Sequence, residues 1–302
     1  MAERSPADAA SPTAVAADRI QGFYINLDRS IDRRRAIEAQ IETLGIGHVY
    51  KRFPAVDGSK LAPIGRMKPG EVGIFRSHHD VLAGARKGGK FIHVLEDDSL
   101  LSEFMLPAIG LALGRGMFDR FDVIFTDIGG IDDFRIVRDL KHRYDEIVPF
   151  RGEKAFYDKL QLIDLARFNF AAMSSYVVSP AGADRLLAIY GKEAKRGLNM
   201  PVDLVVKREV REGRLRAACF FPFLTSINLG VAATTSGRTV HDSFLMMALL
   251  RYSFFVNRDL DGAAGKALAE VMAQTKPGAG DRHHEFIMTI MSYVLSKEFK
   301  PF

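Results

Sequence analysis

The segment Phe91-Ile92-His93-Val94-Leu95-Glu96-Asp97-Asp98-Ser99 constrains this chain more than any other. A run rich in apolar and branched residues ends abruptly in three carboxylates. Its length and composition predict a strand buried on both faces of a layered α/β domain. In such sheets ligands gather beyond the carboxyl ends of the strands. If extended geometry continues through the acids, Glu96 and Asp98 share one side and Asp97 takes the other. Two carboxylates on one side repel unless a cation lies between them. A hard divalent ion, Mg²⁺ or Mn²⁺, carried on a diphosphate supplies that charge. The same residues also suit an acidic helix start, with Asp98 or Ser99 as N-cap. Local sequence leaves both readings open.

A second unit precedes this one. Phe23-Tyr24-Ile25-Asn26-Leu27 reads as a strand and Asp28-Arg29-Ser30 as its turn. Ile31 to Leu44 follows with helical spacing at Ile31, Ile37, Ile41 and Leu44. Arg29 lies in the turn and Arg33 and Arg34 in the first helical turn, where cations oppose the helix dipole. A phosphate bound there removes the penalty; a solvated basic face is the plain alternative. A further strand, Val49 to Val56, ends in Asp57-Gly58. Asp57 suits either a ribose or base contact or an ordinary turn.

A helix is expected from about Glu71 to Lys87. Within it Ser77-His78-His79-Asp80 has the letters of a catalytic triad, but helical neighbours point about 100° apart. His78 is therefore expected to pack or to support a site. Further strands are expected at Phe121 to Thr126, ending in Asp127, at Met173 to Val178, and at Arg216 to Phe223. Ser179-Pro180 marks a capped helix start. Pro201-Val202-Asp203 opens another helix, where Asp203 complements the dipole. Residues 131–160 are charged and irregular, as an active-site loop would be. From Val240 the chain reads as helical, and its apolar run Phe244 to Val256 is broken by Arg251.

The chain has 302 residues, 47% of them hydrophobic, enough for one large α/β domain with an appendage. Residues 1–19 are rich in Ala, Ser and Pro and read as a disordered tail, without the apolar core of an export signal. The boundaries expected are a domain at 20–235 and a helical extension at 236–302. Cys219 is the only cysteine, which rules out an intramolecular disulfide and a cysteine metal cage. Its apolar neighbours mark a buried inert thiol and the reducing cytoplasm. The net charge of +5 favours anionic partners, yet there is no dense basic tract and no Trp, so nucleic acid is not an expected partner. No apolar run is long enough to span a bilayer, which leaves peripheral contact with anionic lipid on the inner membrane face.

The spaced motifs together resemble glycosyltransferase family 25, which includes bacterial lipooligosaccharide galactosyltransferases and procollagen galactosyltransferases. They are Tyr24 to Arg34, Val56-Asp57-Gly58, Gly70-Glu71-Val72-Gly73 with Ser77-His78, Val94 to Asp98, Tyr176 to Ser179 with Gly182 and Leu186-Leu187, and Pro201-Val202-Asp203. The resemblance covers roughly residues 22–230. It implies a GT-A-type, Rossmann-like fold and inverting, metal-dependent transfer of a hexose, galactose or glucose, from a UDP-sugar. The acceptor would be a hydroxyl of a cell-surface or lipid-linked glycan such as lipopolysaccharide. On that resemblance Asn26, Arg29 and Arg33 face the nucleotide and Asp57 holds uracil or ribose. Glu96, Asp97 and Asp98 would form the metal–diphosphate motif, with Glu96 and Asp98 on Mn²⁺ or Mg²⁺. Asp203 is the first candidate for general base and Asp127 the second. The chain departs from the family at Leu82, where a Trp is frequent, at Ile74 for Cys, and at Ser174-Ser175 for Gly and a small residue. Those departures admit an alternative, a non-catalytic partner subunit that binds nucleotide or glycan.

Overall fold

Short, fully apolar strands alternating with one-sided helices force a layered arrangement, because neither element can bury its apolar surface alone. The computed structural model of the protein describes residues 11–131, 133–228, 231, 242–259, 262, 266 and 294. Among them seven strands form one mixed sheet. They are β1 (Ile20–Asn26), β2 (Tyr50–Pro54), β3 (Phe91–Glu96), β5 (Val123–Phe125), β6 (Gln161–Asp164), β7 (Ser175–Val178) and β8 (Ala217–Phe221), ordered β2-β1-β3-β7-β5-β8-β6. β1 runs parallel to β2 and β3, and β5 parallel to β8, while β7 is antiparallel to both β3 and β5. A two-stranded ribbon of β4 (Ser99–Leu101) and β9 (Thr225–Ile227) stands apart. This is the mixed, Rossmann-like α/β architecture expected.

The topology fixes what meets at one edge. Asn26, Glu96 and Thr126-Asp127 end or follow β1, β3 and β5, and Ser174 precedes the reversed β7. All four positions therefore lie on the same rim of the sheet.

The helices follow their predicted signals closely in places. α2 (Ile31–Thr43) buries Ile37 and Ile41. α3 (Pro69–Ala85) turns Val72, Phe75, Val81 and Leu82 inward. α7 (Pro180–Lys195) starts on Ser179, whose Oγ accepts from Gly182 N at 3.0 Å. α8 (Val202–Arg211) carries Asp203 in its first turn, as expected. α3 sits unusually close to the chain after β2. A Cβ on Gly73 would lie 2.7 Å from Val56 O, and one on Gly58 2.2 Å from Pro69 O. Ser77 Oγ accepts from Val56 N and donates to Gly73 O, at 2.9 and 2.7 Å. Val56-Asp57-Gly58 and Gly73…Ser77 are thus one packing unit.

Three expectations are corrected. Residues 12–19, read as tail, form α1 (Pro12–Arg19), capped by Ser11 with Ala16 fully buried. Its small residues dock on the apolar α4 (Met105–Gly114), where a Cβ on Gly110 would meet Pro12 O at 1.7 Å. Residues 134–147, read as part of an irregular loop, form α5 (Phe134–Ile147), burying Val137, Leu140, Tyr144 and Ile147. A second helix, α6 (Lys154–Lys159), follows it. The helical spacing was present but diluted by charges on the outer face. Finally, α9 (Asp242–Ser253) is no appendage: Leu249, Leu250 and Tyr252 are buried, and the chain after it bonds Phe223 N to Phe254 O and Val256 N to Phe223 O, both at 2.9 Å. Of the helical stretch expected from Val240, the described residues are 242–259, 262, 266 and 294.

Candidate active site

β3 stops at Glu96, and the acids continue as a tight turn into β4 rather than into a helix. The helix-cap reading of Asp98 and Ser99 is thereby removed. The alternation expected of an extended segment is also lost: Asp97 and Asp98 both reach Nη1 of Arg33, at 3.1 and 3.0 Å. Asp97 further accepts from the Asn26 amide at 2.7 Å, and that amide also donates to Ser30 O at 3.0 Å. Glu96 has another partner, its Oε1 lying 3.3 Å from His78 Nε2. His78 is 1% exposed and its Nδ1 lies 2.8 Å from the Tyr176 hydroxyl. With Nε2 protonated the ring donates to Glu96 and accepts from Tyr176. His78 therefore supports the acid, as the helical geometry predicted.

The turn is short of positive charge. Asp97 and Asp98 share the Arg33 guanidinium, while Arg251, paired with Asp127, acts on the turn only from a distance. Burial, then the charge of Glu96, pushes the Asp98 carboxyl up to about 6, against the pull of Arg33. Burial also raises Asp97, against Asn26 and Arg33. For Glu96 burial pushes upward, but the hydrogen bond from His78 and the positive charges of Arg251 and Arg33 leave it below the ordinary range. A buried acid held up by a like charge is the environment in which a cation is most strongly favoured. Among the described residues no group of three or more His, Cys, Asp or Glu side chains is placed to hold a metal ion. A hard ion held here would have two partly open carboxylates, Glu96 and Asp98, and would need its other oxygens from phosphate and water.

The remaining predicted residues fall into separate groups. Arg29 pairs with Asp57, and that pairing, with Ser59 N–H and hydroxyl bonds, draws Asp57 down to about 2. Asp57 is thus both a turn residue and an arginine partner, on the rim beside β1. Asp203 lines a cleft of about 160 Å³ with Glu71, Ile74, Glu96, Ala172, Met173, Pro201 and Val202. The structure therefore brings Asp203 and Glu96 together across one opening. Among the described residues Asp203 Oδ2 accepts a single long bond, 3.3 Å, from Ala172 N. Ala172 holds φ at 75°, a conformation that costs an L-residue about 1–2 kcal/mol and clusters at functional sites.

Asp127 behaves otherwise. It is 1% exposed, bound by Arg251 Nε at 2.8 Å and Nη2 at 2.6 Å, and by Ser174 Oγ at 3.2 Å. A carboxylate enclosed by a guanidinium and shut from solvent cannot reach an acceptor hydroxyl, so the geometry moves Asp127 from base to support. Two residues escaped sequence reasoning. Arg52, on β2 opposite Tyr24, donates to Asn26 Oδ1 at 2.9 Å and to Asn26 O at 3.1 Å. Arg251 was visible only as a charge interrupting an apolar run. Cys219 is buried and burial pushes its thiol well up, as an inert core residue. Among the described residues no helix is long and apolar enough to cross a membrane.

None of the curated proteins compared with the chain matches it. The sequence pattern described as glycosyltransferase family 25 (LPS biosynthesis protein) matches residues 20–206, more than half of the chain. That span contains Asn26, Arg33, the acidic turn, His78 and Asp203 in one fold, and the chain belongs to glycosyltransferase family 25.

Proposed function

We propose that this protein transfers a hexose, galactose or glucose, from a UDP-sugar to a hydroxyl of a cell-surface glycan such as lipopolysaccharide, with a divalent cation at Glu96 and Asp98. The observation that carries the reading is the acidic turn, where Asp97 and Asp98 share the Arg33 guanidinium and Asp98 is held up to about 6. Mn²⁺ or Mg²⁺ bound there would neutralise the departing diphosphate as a Lewis acid. Arg33 orients Asp97 and Asp98, and Asn26 fixes Asp97 to the end of β1. Arg29 and Asp57 stand on the adjoining rim, where a ribose or base would extend.

Asp203 removes the proton from the acceptor hydroxyl as its oxygen attacks the anomeric carbon, and the bond from that carbon to UDP breaks with inversion. Its weak tether to Ala172 N leaves lone pairs for that proton. Ile74, Met173 and Val202 offer apolar surface to the C–H face of a sugar in the same cleft. A lipid-linked acceptor would bring the basic protein to an anionic membrane surface, which flotation with anionic and neutral liposomes tests.

The deciding experiment is UDP-sugar turnover with Mn²⁺, Mg²⁺ or EDTA, alongside calorimetry of UDP. Metal-dependent transfer or hydrolysis supports the reading. UDP binding without turnover of any common UDP-sugar would instead assign a non-catalytic nucleotide-binding subunit.

A further inference from the structure

Ser174 stands at the crossing of two systems. Its carbonyl accepts from Glu96 N at 2.7 Å and from Ser99 Oγ at 3.3 Å, so it grips the acidic turn at both ends. Its hydroxyl accepts from Arg251 Nη2 at 2.6 Å and lies 3.2 Å from Asp127 Oδ1. Arg251 is 7% exposed and belongs to α9, which lies beyond the family-matched span 20–206. α9 also packs on β9, and the chain after β9 returns to the turn, with Asn228 N donating to Asp98 O at 2.7 Å. Both backbone anchors of the turn are therefore backed by α9.

We propose that Arg251 is a positioning residue for the donor site: through Ser174 and Asp127 it braces the backbone that presents Glu96 and Asp98, so that α9 completes a site otherwise built from the family-matched segment. The donor role of the turn rests on the function proposed above; the bracing does not. A carboxylate pair that must bind a cation and a diphosphate together works only if its backbone is held before they arrive. Ser174 supplies the hydroxyl that receives Arg251. A Gly there offers no such acceptor. The Ser174 hydroxyl thus wires α9 into the turn.

Removing Arg251 alone would strand the buried Asp127 charge, so the test uses the double variant Arg251→Gln with Asp127→Asn, a neutral pair of similar shape. Two measurements are made on the full chain. The first is amide hydrogen exchange without ligand. Peptides spanning Leu95 to Ser99 should exchange about tenfold faster in the double variant, with β1 and β8 unchanged. The second is calorimetry of UDP with Mn²⁺, whose affinity should fall about tenfold, with Arg251→Lys recovering part of the loss.

Unchanged exchange in the turn overturns the proposal. Faster exchange with undiminished Mn²⁺–UDP affinity also overturns it, because the bracing would then not serve the site. If the wild-type protein binds no UDP with Mn²⁺, the donor reading fails, and the exchange result still decides whether Arg251 braces the turn. Should the double variant not fold, Arg251→Lys, which keeps the buried charge but not the forked contact, carries the same comparison.

Discussion

The Asn26 side-chain amide donates to Asp97 at 2.7 Å and ties the end of β1 to the acidic turn after β3. Residues 71 positions apart thereby share one hydrogen bond, and Arg52 completes the Asn26 shell from β2. The rim is therefore built from three neighbouring strands before any ligand is present.

Asp98 is held in the acid form more firmly than in the unfolded chain, because its pKa stands at about 6 rather than the ordinary 3.8. The stability contributed by that proton is full below about pH 4 and lost as pH rises through 6. At pH 7.5 the ionised group opposes folding by about 3 kcal/mol at most. Asp98→Asn should accordingly raise the metal-free melting temperature while abolishing Mn²⁺-dependent UDP binding. Thermal melts and calorimetry on the same preparation check both halves. UDP binding equal to wild type would remove the metal role.

His93 lies wholly buried between the Tyr50 hydroxyl, 2.7 Å from Nδ1, and Ser175 Oγ, 3.1 Å from Nε2. Burial holds it down to about 3, so it is neutral in the native state. The unfolded chain takes up the proton first, and stability falls as pH drops from about 6.5 towards 3, by at most about 1.4 kcal/mol per unit. Urea unfolding at pH 7.5 and 5.0 should show this loss, and His93→Gln should flatten it. Equal slopes in the two proteins would mean that His93 is not the titrating group.

Asp203 and Asp127 separate cleanly by kinetics. Asp203→Asn should lower kcat about 10²- to 10⁴-fold, with UDP affinity unchanged. Asp127→Asn should instead weaken the Arg251 anchor and reduce thermal stability together with UDP affinity. Retained kcat in Asp203→Asn would transfer the base role elsewhere.

Gly73 is required by contact rather than by backbone angle. In Gly73→Ala the new Cβ would sit 2.7 Å from Val56 O and 2.8 Å from Gly58 N, both backbone atoms that cannot swing aside. The variant should lose about 1–3 kcal/mol by denaturant unfolding, and its Arg29–Asp57 turn should open to proteolysis. Wild-type stability would show that α3 tolerates a shift there.

How much of this was legible beforehand follows from the range of each interaction. The strands at Tyr24, Val94, Ile124 and Val177 and the helix starts at Ser179 and Pro201 announce themselves through periodicity and capping, which depend on neighbours a few residues away. The acidic turn announced its charge for the same reason. Its geometry did not, because the alternation of Glu96, Asp97 and Asp98 fails where β3 bends into β4. α1 and α5 were hidden by Ala-rich and charged sequence whose burial depends on α4 and on the segment after α9.

Composition and local spacing by themselves determined an α/β layer with an acidic motif after its central strand and arginines after its first. Only the tertiary structure decided that Asp203 faces Glu96 across a cleft while Asp127 is enclosed by Arg251. A carboxylate's chemistry is set by the charges and solvent around it, and those come from segments up to 124 residues distant along the chain.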